Sequence, residues 1–195
     1  MSKREYKCSS STKDALFNSL LKLSKEKGFD KVTIRDICTD ANISIGSFYH
    51  HFKSKEELAK ETYFQTDKLI NEDFLALCKT SSPKDNLHNI LKIYVDYVYS
   101  EIGVLIKTYY RLLLDVTCIS AFEPERLYYV SLKNIVTSCC ESGYIKDDGN
   151  YKELTDYCIR FVRGLIFDWC VNEDAYDLQE QFEKDYEIFV KGLRP

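Results

Sequence analysis

Residues 33–52 read TIRDICTDANISIGSFYHHF, and the spacing within this stretch decides the fold. Ile34, Ile37, Cys38 and Ala41 recur at three- and four-residue steps, which turns them to one side of a short helix ending at about Thr39. Thr33 followed three residues on by Asp36 marks its start, because a hydroxyl and a carboxylate at that spacing satisfy the free N–H groups of a first turn. Asp40-Ala41-Asn42 forms the turn and Ile43 an apolar plug behind it. Ser44 caps a third helix that ends near His51. Phe48 and Phe52, four apart, anchor that helix from beneath, while Ser44, Gly46, Ser47, Tyr49 and His50 are poor core formers. Two short helices joined by a tight turn place the second across a DNA major groove, N-terminal residues toward the base edges. The same pattern also describes an ordinary αα-hairpin, so the flanking residues carry the distinction.

Those residues favour nucleic acid. Lys53 and Lys55 come directly after the short helix, and Ser54 caps the next one, whose free N–H groups attract phosphate. Residues 1–60 hold 12 Lys and Arg against 8 Asp and Glu, a charge of +4. The remainder holds 15 against 23, a charge of −8. A basic head on an acidic body is the asymmetry expected when only the head meets phosphate.

Residues Thr33-Ile34-Arg35-Asp36-Ile37-Cys38, then Ala41 through Leu58 with Gly46-Ser47-Phe48-Tyr49-His50-His51-Phe52-Lys53-Ser54-Lys55 at their centre, closely resemble the DNA-binding domain of the tetracycline-repressor (TetR) family. The resemblance covers about residues 12–60 and extends to the body only as an all-helical architecture. It implies that Thr33 and Arg35 approach DNA, Arg35 at a guanine edge or a phosphate. It implies that Ser44, Ile45 and Gly46 face bases, and that Ser47, Tyr49 and His50 bind phosphates or base edges. Lys55, beside Lys53, would hold a phosphate at the start of the fourth helix. Ile45 is apolar at such a position, which suits a thymine methyl.

Outward from this segment the chain reads as helix after helix. Ser11 with Asp14 starts the first and Gly28 stops it; Ser54 with Glu57 opens a fourth running to about Cys78. Ser82-Pro83 starts another to about Ser100, and Gly103 separates it from a helix ending near Asp115. Thr117–Phe122 reads as a loop and Pro124 as the start of a helix that stops before Gly143. Asn150 with Glu153 opens a helix to about Val171, and the last spans roughly Asp177 to Lys191. The expected fold is all-α, about nine helices. A three-helix helix-turn-helix domain occupies residues 1–53, and a helical bundle for ligand binding and dimerisation occupies 54–195.

The last two helices carry more apolar residues than one face needs. Tyr157, Phe161, Gly164, Leu165 and Trp169 on one, and Phe182, Tyr186 and Phe189 on the other, suit a four-helix homodimer interface, which the resemblance also implies. The 15 Tyr and 11 Phe lie mostly beyond residue 60. Phe64, Tyr94, Tyr109, Tyr110, Tyr128 and Phe161 are candidates to line an effector cavity, or else to fill a core. Arg111, inside an apolar run, is a candidate partner for an anionic ligand or for Asp115 four residues on.

Other function classes lack their signatures. No Gly-rich phosphate loop, G-x-S-x-G or H-E-x-x-H is present, so no catalytic residue is expected. The eight cysteines show no zinc spacing and read as reduced thiols; Cys139-Cys140 are either a thiol sensor or two buried side chains. No metal or cofactor is expected. No stretch approaches the roughly 18 consecutive apolar residues of a membrane span, and the polar start has no signal core, so the expected location is the cytoplasm. The expected partners are double-stranded DNA, a second copy of the chain and a small-molecule effector. The competing reading is a helical adaptor that keeps a helix-turn-helix for protein contact.

Overall fold

The structure, a computed structural model, describes residues 12–60, 82–114, 126–146, 149–172 and 175–195, which are helical with no strand among them. The chain divides into two compact units near residue 62. A boundary at 53/54 was expected. The start of the fourth helix packs on the first, and its Leu58 and Ala59 are fully buried.

In the first unit α1 spans Thr12–Lys27, a short 3-10 turn covers Phe29–Lys31, α2 spans Ile34–Asp40, α3 Ile45–His51 and α4 begins at Lys55–Ala59. Its core is Leu16, Phe17, Leu20, Phe29, Val32, Ile37, Cys38, Phe48 and Phe52. Phe48 and Phe52 sit beneath α3 with ring centres 5.9 Å apart. The 3-10 turn has no counterpart in the sequence reading. It fills the link between α1 and α2 and buries Phe29.

In the second unit α5 spans Pro83–Tyr97, α6 Gly103–Leu114, α7 Leu127–Glu141, α8 Tyr151–Val171 and α9 Leu178–Leu193. α5 is central and packs on α7, α8 and α9. Its inward stripe, Leu87, Ile90, Leu91, Tyr94 and Val95, follows the helical period and is buried. Side-chain bonds tie it to α9. Asp96 accepts from Lys92 at 3.0 Å and from Gln179 at 2.6 Å, and His88 Nε2 lies 2.8 Å from Glu183.

Gly103 does not break the chain as expected. Val98–Ile102 form a π-helical turn that carries α5 straight into α6. A Cβ at Gly103 would stand 3.2 Å from the Val98 carbonyl and 3.4 Å from the Trp169 ring. The glycine is there to let α8 approach the widened turn. Val190, Phe182 and Tyr186 of α9 are buried, as is Trp169 of α8. The expected helix from Ser54 beyond Lys60, the loop Thr117–Phe122 and the start at Pro124 lie outside the described residues. No helix among the described residues is long and apolar enough to cross a membrane.

Candidate nucleic-acid interface

Each short helix of the first unit is closed by its own side chains. Thr33 caps α2: its hydroxyl accepts from Asp36 N–H at 3.1 Å and donates to the Asp36 carboxylate at 2.8 Å, while its backbone N–H donates to the same oxygen at 2.9 Å. Lys27 Nζ donates there too, at 2.8 Å. This bond from Lys27, with those from Thr33, holds the Asp36 carboxyl well below the ordinary carboxylate range.

The turn between α2 and α3 closes through Asn42, the one described non-glycine residue with positive φ, at 53°. Asn42 N–H donates to Thr39 O at 3.2 Å and Ile43 N–H to Cys38 O at 2.9 Å, a paired C-terminal cap. Asparagine tolerates this left-handed conformation better than most side chains. The acidic Asp40 at the end of α2 would oppose the helix dipole. Lys22, with Ser19 at 2.7 Å, offsets it and lowers its pKa. Ser44 then caps α3, its hydroxyl oxygen accepting from Ser47 N–H at 3.1 Å.

α3 is therefore pinned at both ends and anchored by Phe48, which leaves its outer face to solvent. Ile45 is 47% exposed and Tyr49 55% exposed, and Gly46 and His50 beside them are exposed as well. An added Cβ at Gly46 meets only Ser44 Oγ, at 3.9 Å, so space within the unit does not demand a glycine there. Arg35 of α2 and Lys53 after α3 are exposed, and Ser47 is half-buried. Ser44 accepts through its oxygen, which leaves its hydroxyl proton available to donate.

Lys55 has another employment. Its Nζ donates to the carbonyls of Phe29 at 3.0 Å, Asp30 at 3.1 Å and Val32 at 2.9 Å, and lies 4.6 Å from the centre of the Phe29 ring. Three ammonium hydrogens meet three carbonyls, so no donor is left over for a phosphate in this conformation. The Thr33 hydroxyl is likewise used in both directions. No local spacing in the sequence announces the Lys55 cap, because its acceptors lie 23 to 26 residues earlier.

The body candidates separate into two groups. Tyr157, Phe161, Gly164, Leu165 and Phe189 line a groove of about 740 Å3 between α8 and α9, with Arg160, Asp168, Asp185 and Ile188. Phe161 stacks on Phe189 at 4.2 Å. Trp169, Phe182 and Tyr186 do not line that groove and are at most 8% exposed, while Leu165 and Phe189 line it although they are buried to the same degree, at 7% and 8%. The exposed apolar residues of the two helices are Tyr157, Phe167, Val171 and Ile188, of which the expected dimer interface included only Tyr157.

Among the candidate effector residues, the Tyr94 and Tyr128 rings lie 5.7 Å apart and those of Tyr109 and Tyr110 5.8 Å apart. Tyr94 and Tyr109 are buried, and the Tyr128 hydroxyl donates to the Ile90 carbonyl at 3.1 Å. Tyr110 donates to the Arg163 carbonyl at 3.3 Å, and burial pushes its phenol upward. Arg111 is exposed, while Phe64 and Asp115 lie outside the described residues. Cys139 and Cys140 are both buried, and burial pushes the Cys139 thiol up to about 12. Among the described residues no group of three or more His, Cys, Asp or Glu is arranged to hold a metal.

Residues 16–62 match the family model of bacterial regulatory proteins of the tetR family. The chain is 34% identical over 88 residues to the TetC protein of transposon Tn10 from Escherichia coli, a match covering 45% of each protein. Over 194 residues it is 21% identical to a probable acrEF/envCD operon repressor of Escherichia coli K12, covering 93% of this chain and 86% of that one. The fold is that of Thermus thermophilus FadR, a TetR-family repressor solved with lauroyl-CoA, with a TM-score of 0.69 at 19% identity over 92% of this chain and 94% of that one. By these matches residues 16–62 are similar to the tetR family of bacterial regulatory proteins, and the chain shares its fold with solved proteins of that family.

Proposed function

We propose that this chain is a DNA-binding transcriptional repressor of the cytoplasm that grips a palindromic operator as a homodimer and is released by a small-molecule effector. The observation that carries this reading is the outer face of α3. Ile45, Gly46, Tyr49 and His50 stand exposed on a helix whose other side is locked by Phe48 and whose two ends are capped. A rigid short helix with an apolar reader, a backbone free to approach and a phenol is suited to a major groove.

Ile45 and Gly46 read base edges, Ile45 through a thymine methyl. Ser44, Ser47, Tyr49 and His50 meet phosphates or base edges, and Arg35 and Lys53 bring the charge. Thr33 and Lys55 act from behind, by holding α2 and α4 in place. One recognition helix spans too few base pairs for a specific site, so a second copy, seated on the α8/α9 groove, doubles the reading.

The effector reading is supported by the lauroyl-CoA bound to Thermus thermophilus FadR, a protein of the same fold. An acyl-CoA is accordingly the first effector class to try, and it must bind the DNA-free state more tightly to release the operator. Fluorescence anisotropy of the purified protein on DNA from upstream of its own gene, against random DNA at two salt concentrations and with or without lauroyl-CoA, tests the proposal. Sequence-preferring binding that weakens steeply with salt supports it. No binding even at low salt contradicts it and favours the adaptor reading.

A further inference from the structure

α8 carries a pattern that is symmetric about Gly164. The glycine is exposed in the middle of a 21-residue helix, where it weakens the helix relative to alanine. An added Cβ would meet nothing within 4 Å, so none of the described residues of its own chain requires the missing side chain. What the glycine admits comes from outside. Three residues to either side stand Phe161 and Phe167, and seven residues to either side stand Tyr157 and Val171. Tyr157 and Phe167 are 45% exposed and Val171 61%. Four residues to either side the pattern is one of opposite charge, Arg160 before and Asp168 after, both exposed and both lining the α8/α9 groove.

A twofold axis at the level of Gly164 that sets α8 antiparallel to its copy brings each residue level with the one equally far on the other side of the glycine. Apolar residues then meet apolar ones. Arg160 stands level with Asp168 of the partner subunit, about 6 Å along the helix from the axis. A parallel twofold would instead set Arg160 against Arg160 and Asp168 against Asp168, which like-charge repulsion opposes.

We propose that two copies of this chain pair through α8 with Gly164 at the twofold axis, their register fixed by two reciprocal ion pairs between Arg160 and Asp168. This rests on the homodimer reading above and adds the orientation and the residues that select it. Arg160 is held ready by its place over the Tyr157 ring, 5.8 Å from the centre. Asp168 is oriented by the Tyr176 hydroxyl, which donates to it at 2.7 Å. Oppositely charged side chains at mirrored positions also select against other orientations of the same apolar face.

Sedimentation velocity across a dilution series of the full chain tests this, with circular dichroism melts to show that each variant is folded. The variants are R160D, D168R and the double R160D/D168R. Because the twofold repeats the pair, each single reversal confronts two pairs of like charges and is expected to weaken the dimer at least about tenfold. The double reversal restores the opposite charges and is expected to return the dissociation constant to within about threefold of the starting chain. Gly164→Leu is expected to leave the monomer folded, since the space there is open, and to weaken the dimer. A dimer untouched by either single reversal, or one that the double reversal weakens further, overturns the pairing while leaving the dimer standing. A starting chain that is monomeric at micromolar concentration overturns the dimer itself.

Discussion

α3 and α8 both present apolar side chains to solvent, and they do so on opposite foundations. α3 has seven residues, too few to be stable by propensity, and is held by the Ser44 cap, the Asn42 turn and the Phe48 anchor. Its position is set by polar bonds that reach only a few residues along the chain. α8 has 21 residues and is held by burial of Cys158, Val162, Leu165, Ile166 and Trp169 against several other helices. A surface built on local caps is rigid and small, which suits the reading of base edges. One built on a long packed helix is broad, which suits self-association.

The largest way to break this contrast is to remove the anchor under α3. Phe48→Ala leaves a cavity where the ring is fully buried and is expected to cost about 3–5 kcal/mol. Since stability is marginal, the first unit should unfold at a lower urea concentration and DNA affinity should vanish with it, while the helical signal of the body persists. The corresponding insult to the body is Gly103→Val. Its side chain meets the Val98 carbonyl and the Trp169 ring, and the expected loss is about 1–3 kcal/mol in a chemical melt of the body.

Smaller changes separate holding from reading. Lys55→Ala removes three charge-assisted bonds to the 3-10 turn and is expected to destabilise the first unit by about 1–3 kcal/mol, with the salt slope of DNA binding unchanged. Lys53→Ala and Arg35→Ala are expected to do the reverse, leaving the melt alone and lowering that slope by about 0.9 for each phosphate that is no longer neutralised. A Lys55→Ala variant that melts normally but has a shallower slope would return Lys55 to the phosphate.

The smallest effect is one of pH. The Asp36 carboxyl is held low by Lys27 and Thr33, so its folded pKa lies below the unfolded one. Its contribution is therefore complete above the ordinary carboxylate range and is lost as the pH falls toward the folded value. Asp36→Asn is expected to flatten the acid limb of the stability profile of the first unit, measured by thermal melts between pH 3 and 6.

The same contrast explains what the sequence disclosed. Caps and turns are written in adjacent residues, so Thr33 with Asp36, Ser44, Ser54 with Glu57, Ser82-Pro83 and Asn150 with Glu153 all mark helix starts that the structure contains. Relations between distant residues are not written that way. The Lys55 cap on Phe29, Asp30 and Val32 depends on the fold bringing two elements together. So does the burial of Trp169, Phe182 and Tyr186 away from the α8/α9 groove, which an apolar stripe cannot distinguish from an interface. Gly103 looks like a stop because a lone glycine usually weakens a helix. The ring of Trp169 against it, visible only in three dimensions, gives it a different purpose.

The central claim is that the exposed face of α3 reads DNA as half of a symmetric pair. Selecting bound sequences from a random pool of DNA with the purified full chain tests it without any prior guess at the operator. The account predicts an enriched inverted repeat whose two halves share one sequence, and loss of that enrichment in a variant carrying Ile45→Ser and Tyr49→Ala. A pool that stays random, or one enriched in an unrepeated sequence, would contradict it.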